Sequence, residues 1–254
     1  MKNFFQILFV AAVLMTSALA MAAEFGGDYF EAEGVVYPDG KKSNPNALRR
    51  LAIMDAYRYL AEEVDALNVT STSTVKNLRD LDDEINTRVE AVLHGAKVIS
   101  VKREADGSFH AIVRMPTHGP QSIAGAVLKE NIVVEDFPKP RFTNMRSEVT
   151  NYTGIVIDCR GMNLSTAVAP VIKSVGGLEI YAYKNLGYQT AVDKGMVEYS
   201  TSLESARGGA TPLVIKAVSI SNCDVVVSEE DADRILYANQ TTNVLSNCAV
   251  VFVR

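Results

Sequence analysis

The sequence predicts a mixed α+β protein made of two units, an N-terminal α/β sandwich and a second α+β unit with a central sheet. Apolar residues recur at helical spacing in two stretches of the first half, whereas short β-branched runs dominate the second half. Between the halves, residues 136–141 alternate two prolines with charged residues, a pattern that resists both a helix and a central strand. The expected units are therefore residues 24–131 and 150–254, joined by a linker over 132–149.

The first unit is expected to open with a strand over residues 29–37, which ends at a Pro-Asp-Gly turn. Asn44 followed by Pro45 is typical of a helix start. Apolar side chains then recur at spacings of three and four, which predicts a helix over residues 45–67. Two small members of this stripe, Ala52 and Ala56, would let the helix lie close to a sheet.

The rest of the first unit is predicted from four further patterns. The Thr- and Ser-rich run 69–75 favours an exposed or edge strand, and an apolar stripe predicts a second helix over 78–92. Strand-like runs at 97–104 and 109–115 flank an Asp-Gly dipeptide, which predicts a hairpin. A short helix is expected over 120–130, so the predicted order is β-α-β-α-β-β plus a short helix.

The second unit is predicted from short apolar runs that are separated by polar turns. Ser228 is a candidate N-cap for a helix late in this unit. The expected strands, which would form the central sheet, are residues 154–158, 178–183, 213–219, 224–227 and 249–253.

The first 23 residues predict a secretory signal peptide. Lys2 precedes an apolar run over 7–15, and small residues follow it. We therefore expect cleavage near Ala23 and a periplasmic or secreted protein, with no transmembrane segment after cleavage because no second long apolar run is present. The net charge of −5 argues against nucleic acid as a partner.

The three cysteines, Cys159, Cys223 and Cys248, leave the redox state open. An exported protein can hold one disulfide and one free thiol, or no bridge at all. Cys223 and Cys248 each precede a predicted strand, so the two could form a disulfide if those strands are neighbours. No metal site is expected, because no Cys-x-x-Cys pair is present and the histidines are scattered.

Asp158, Cys159 and Arg160 follow a predicted buried strand, where α/β proteins often place functional groups. On a strand, Arg160 would point away from Cys159, and no histidine in the second unit could serve as a base. The sequence therefore predicts no catalytic residue and no cofactor. Asp158 and Arg160 remain candidates for lining a binding cleft between the two units.

Several runs resemble a known bacterial group. Residues 30–34 (Phe-Glu-Ala-Glu-Gly) and the alanine-containing stretch 47–60 resemble the N-terminal pattern of envelope proteins related to flagellar assembly protein T, and of the LPP-twenty-like lipoproteins grouped with it. Residues 153–161 and 224–232 resemble uncharacterised relatives of the same group. The resemblance implies a periplasmic or cell-surface protein of a Gram-negative-type envelope, and some relatives help to build structures around the flagellar motor.

The leading hypothesis from the sequence is an exported, non-enzymatic envelope protein that acts through protein–protein interaction or assembly. Its partner would be another envelope protein or a second copy of the chain, paired through an exposed edge strand such as residues 69–75. The alternative is a periplasmic protein that binds a small ligand or cell-wall fragment in the cleft near Asp158 and Arg160. An exported hydrolase built from carboxylates is the third hypothesis.

Overall fold

The structure, a computed structural model, describes residues 27, 29–39, 44–141 and 151–254. The predicted signal peptide and residues 142–149 of the predicted linker lie outside the described residues. These described residues form a mixed α+β fold with six α-helices and several sheets, which confirms the predicted fold class. Within the described ranges, no helix is both long enough and apolar enough to cross a membrane.

The first unit is built on a three-stranded antiparallel sheet in the order β1-β5-β4. A long helix covers one face of this sheet, and three shorter helices complete the unit. Its elements are β1 (Tyr29–Val36), α1 (Pro45–Ala66), β2 (Asn68–Thr70), β3 (Ser73–Thr74), α2 (Val75–Leu81), α3 (Asp83–His94), β4 (Lys97–Arg103), β5 (Phe109–Pro116) and α4 (Ile123–Val127).

Helix α1 lies unusually close to β1. The strand alternates exposed and buried side chains, and its buried face, which includes Phe30 and Gly34, packs under the helix. A Cβ atom at Gly34 would overlap the carbonyl oxygen of Ala52 and the amide nitrogen of Ala56. Both alanines are fully buried. The small residues of the apolar stripe therefore permit the close approach that the sequence predicts.

The predicted second helix is two helices in the structure, because Asp82 leaves the helical conformation. Asp82 has φ −142° and ψ 106°, and its carboxylate accepts hydrogen bonds from the amides of Glu84 and Ile85 at the start of α3. The strand predicted over 69–75 is also wrong: the run forms the small β2–β3 hairpin and then starts α2. Thr74 ends this run as an N-cap, which the Thr- and Ser-rich composition allows.

The second unit contains two four-stranded sheets where the sequence predicts one central sheet. One sheet is parallel throughout, in the order β10-β6-β13-β9, and the other is mixed, in the order β11-β12-β7-β8. The elements are β6 (Gly154–Asp158), β7 (Ile172–Ser174), β8 (Glu179–Tyr181), α5 (Tyr188–Lys194), β9 (Glu198–Ser200), β10 (Pro212–Lys216), β11 (Ser219–Ser221), β12 (Asp224–Val227), α6 (Glu229–Thr242) and β13 (Val250–Val253).

Backbone hydrogen bonds join the two units at β2. The amide of Val168 donates to the carbonyl of Asn68 at 3.0 Å, and the amide of Ala169 donates to Val69 at 2.8 Å. One continuous hydrophobic core also includes buried side chains of both units. The β2–β3 hairpin is therefore part of a packed and hydrogen-bonded joint.

A buried carboxylate, Asp224, lies at the centre of this joint, with only 1% of its side chain exposed. It accepts hydrogen bonds from Ser71 Oγ of the first unit at 2.8 Å and from the Val171 amide at 3.1 Å. The Lys173 ammonium lies 2.9 Å from the carboxylate, which raises the pKa of Lys173. Asp224 therefore satisfies polar groups from both units at once.

Residues 132–141, which belong to the predicted linker, lie against the second unit. The Phe137 ring is parallel to that of Tyr181, with centroids 6.5 Å apart. The Glu135 amide donates to the carbonyl of Lys184, and the Arg141 amide donates to the Asp233 carboxylate. Stacking and hydrogen bonds thus fix this segment on the second unit's surface.

Candidate functional site

The two residues predicted to line a cleft, Asp158 and Arg160, form an ion pair with each other. Asp158 ends β6 at the carboxyl edge of the parallel sheet, and Arg160 donates to both of its carboxylate oxygens, from Nε at 2.8 Å and from Nη2 at 2.7 Å. Arg160 holds the pKa of Asp158 at about 2. Within the described residues, the polar contacts of both side chains stay inside the second unit. The charges of Asp158 and Arg160 therefore neutralise each other at the carboxyl edge of the parallel sheet.

The structure has all three cysteines as free, buried thiols. Cys223 precedes β12 and Cys248 precedes β13, and these strands lie in different sheets, so the neighbouring arrangement on which the predicted disulfide depends is absent. Burial raises the pKa of Cys159 and of Cys223 to about 12, and it also raises the pKa of Cys248. A thiol that stays protonated is a poor nucleophile, and these three side chains act as core hydrophobes.

A cavity with largely apolar walls lies in the first unit, where α3 and α4 meet the start of β4 and the end of β5. It has a volume of about 660 Å³. This α3–α4 groove has apolar walls formed by Tyr29, Val92, Ile99, Met115, Pro116 and Pro120.

One face of α3 forms a wall of the groove. Arg88, Ala91, Val92 and Gly95 line the cavity, and their spacing places them on the same side of the helix. The core-facing side of α3 is different and includes the buried Ile85 and Val89. Helix α3 therefore packs with one face and presents a second face to the groove.

The cations at the groove differ in how well they are neutralised. The Arg114 guanidinium pairs with Glu31 and lies over the Tyr29 ring, 4.7 Å from its centroid. The nearest acidic partner of Arg88 is the exposed Glu84, at 4.0 Å, and Arg88 Nε has no hydrogen-bond partner among the described residues.

Lys97 has no ion-pair partner in the part of the chain that the structure describes. It lines the groove together with Arg88, so the groove has a net positive charge.

Strand β4 borders the groove and forms an edge of the sheet. In the order β1-β5-β4, it pairs with β5 on one side, and no described strand pairs with its other side. Helix α1 packs mainly on β1 and β5, which leaves the start of β4 uncovered. Val98 is 42% exposed and Ile99 is 46% exposed, and the pairing with β5 is irregular between Val98 and Ser100.

Neither the groove nor the open edge was predicted from the sequence, which placed a candidate edge strand at residues 69–75. A cue was present in β4 itself, where Lys97, Lys102 and Arg103 occur within seven residues. Natural edge strands often carry such charges, because lysines discourage uncontrolled pairing.

Two family models match separate parts of the chain. Residues 38–115 match the model described as LPP20 lipoprotein, and residues 154–254 match the model described as Treponema pallidum Tp0624, second domain. The first match includes all of β4, and the second runs from β6 to β13. No curated protein matches the chain. The two matches support the LPP-twenty-like group that the sequence resembles, and neither shows a link to flagellar assembly protein T.

Proposed function

We propose that the protein is an exported, non-enzymatic component of the bacterial envelope that binds another envelope protein. The binding surface would be the outer edge of β4 together with the α3–α4 groove. The observation that carries this proposal is the outer edge of β4, which no described strand pairs and where exposed Val98 and Ile99 adjoin an apolar cavity. An open strand edge presents backbone donors and acceptors that an extended partner segment can use.

Location in the envelope is supported by two independent observations. The segment that contains β4 matches a family described as a lipoprotein, and the first 23 residues have the composition of a signal peptide. The match of residues 154–254 to the second domain of Treponema pallidum Tp0624 agrees with a bacterial origin.

A binding role without catalysis is supported by the state of the groups that could catalyse a reaction. The three thiols are buried, and their pKa values are raised. Asp158 is neutralised by Arg160. His94 is hydrogen-bonded through Nδ1 to the carbonyl of Glu90 at the end of α3, and His110 pairs with Glu33 on the sheet.

The second candidate function is the binding of a small ligand or cell-wall fragment, which the size of the groove favours. Its volume of about 660 Å³ is within the range typical of small-molecule sites. A ligand that binds only the folded chain would raise its melting temperature. Stabilisation by peptidoglycan fragments, with no protein partner at β4, would favour this candidate.

Site-specific photocrosslinking in cells tests the proposed function. A photoreactive amino acid at position 99 or position 102 should capture the same envelope protein, identified by mass spectrometry, because both positions lie on β4. The control is position 49 on the exposed side of α1, which should capture none of it. Equal capture from all three positions, or no capture from β4, would contradict the proposal.

A further inference from the structure

The outer face of the first sheet has two cations that the sheet itself does not neutralise. Along β5, the register places Lys97 opposite Arg114 and Lys102 opposite His110, so these four side chains share that face. The two acidic residues of β1 on the same face are already engaged, Glu31 with Arg114 and Glu33 with His110. Among the residues that the structure describes, Lys97 and Lys102 therefore have no acidic partner, and both lie along the open edge.

A strand that adds to β4 would place its own side chains directly across from these lysines. Opposite charges at such cross-strand positions are favourable, and like charges are unfavourable. A second copy of β4 is therefore a poor occupant. Antiparallel self-pairing that sets Lys97 of each copy opposite Lys102 of the other, both on the outer face, would place like charges directly across from each other.

The α3–α4 groove lies at one end of the β4 edge and favours a partner segment that carries an apolar side chain there. Ile99 and Lys97 belong both to β4 and to the groove lining, so a strand that runs along β4 passes the mouth of the cavity. The cavity walls beyond them, Val92 and Met115, are apolar, and Arg88 adds a further positive charge. A partner segment that suits this surface therefore has a large apolar side chain for the cavity and carboxylates on neighbouring residues.

We infer that the partner segment is an acidic, extended peptide that pairs with β4 and inserts an apolar side chain into the α3–α4 groove. This inference rests on the proposed function and specifies the class of partner. Carboxylates on alternate residues of the peptide face Lys97 and Lys102. Charge steering would also make the association faster at low salt.

Fluorescence anisotropy with the full chain and a labelled synthetic peptide tests the inference. The probe is a peptide of about seven residues that alternates glutamate with valine and carries leucine at both ends, long enough to cover β4. We expect it to bind and a matched peptide with lysine in place of glutamate to bind at least about tenfold more weakly. Equal affinity of the two peptides would overturn the inference.

Reversing the charge of the two lysines on β4 measures how much electrostatic attraction contributes to peptide binding. The double variant Lys97→Glu with Lys102→Glu should weaken binding of the acidic peptide by about tenfold or more. The control, Arg49→Glu with Arg50→Glu, makes the same change in net charge on the exposed side of α1 and should leave the affinity unchanged. An equal effect of both double variants would indicate general charge attraction and would overturn the inference.

A variant that fills the groove without changing the net charge measures how much the inserted apolar side chain contributes to peptide binding. Ala91→Trp places an indole in the cavity and should weaken binding of the acidic peptide by about tenfold. Thr87→Trp changes an exposed position of the same helix outside the groove lining, and it should leave the binding affinity unchanged. Circular dichroism confirms that both variants are folded. Unchanged binding by Ala91→Trp would contradict the insertion of a side chain.

Different results distinguish a failure of the proposed function from a failure of the acidic-peptide inference. If photocrosslinking from β4 captures an envelope protein but the acidic peptide does not bind, the proposed function stands and the inference about charge is wrong. If dodecanoate, a simple anionic amphiphile, binds the groove and the peptide does not, the inference is likewise overturned, and the small-ligand function gains support.

Discussion

Replacing Gly34 with alanine should destabilise the protein by about 3 kcal/mol or more, since a backbone overlap cannot be relieved by a side-chain rotation. The added Cβ would overlap the Ala52 carbonyl oxygen and the Ala56 amide nitrogen, which belong to the backbone of α1. The helix would have to move away from β1, and the fully buried Leu60 and Val64 on the same stripe would lose part of their packing. The measurement is the free energy of unfolding in urea.

The control for this change is Gly187→Ala. Gly187 has an ordinary φ of −67°, and the nearest atom to a Cβ there is Thr190 Oγ1 at 4.0 Å. We expect its free energy of unfolding to change by less than about 1 kcal/mol. If Gly34→Ala were equally mild, α1 would not lie against β1 as described.

Replacing Asp224 with alanine should cost about 3 kcal/mol, because it leaves buried hydrogen-bond donors from both units without their acceptor. The change removes the acceptor of Ser71 Oγ and of the Val171 amide, and it leaves the Lys173 ammonium without its carboxylate. Since Ser71 belongs to the first unit, the joint between the units should weaken together with the second unit. Limited proteolysis near the β2–β3 hairpin and urea unfolding together measure both effects.

Two further variants show whether the effect of Asp224→Ala is specific to its buried carboxylate. Asp224→Asn keeps an acceptor without the charge and should have an intermediate effect. Asp193→Ala removes an exposed carboxylate that is hydrogen-bonded to Gln189, and it should change the free energy of unfolding by less than about 0.5 kcal/mol. An Asp224→Ala protein as stable as Asp193→Ala would show that the buried carboxylate does not join the two units.

Elements with strong local signals could be predicted from the sequence, and elements that depend on pairing could not. Asn44 and Pro45 start α1 where the capping pattern indicates, and the Asp-Gly dipeptide lies between β4 and β5. The break at Asp82 escaped prediction because the apolar stripe continues on both sides of it. The division of the second unit into two sheets depends on contacts between distant strands, which a run of β-branched residues does not specify.

In the candidate site, too, features with a local sequence signal could be predicted and features built from distant segments could not. Asp158 and Arg160 are two residues apart at a strand end, a spacing that places both side chains on one side, and pairing between them could have been expected. The groove combines parts of two helices and three strands, and no short motif encodes it.

Residue-level hydrogen exchange in the full chain tests most directly whether the outer edge of β4 is open to a partner. We predict that the β4 amides that point away from β5 exchange much faster than the amides of β5 itself, and that they become protected when the captured envelope protein is added. Equal protection of the β4 and β5 amides in the isolated chain would show that the edge is already covered, and it would contradict the proposed function.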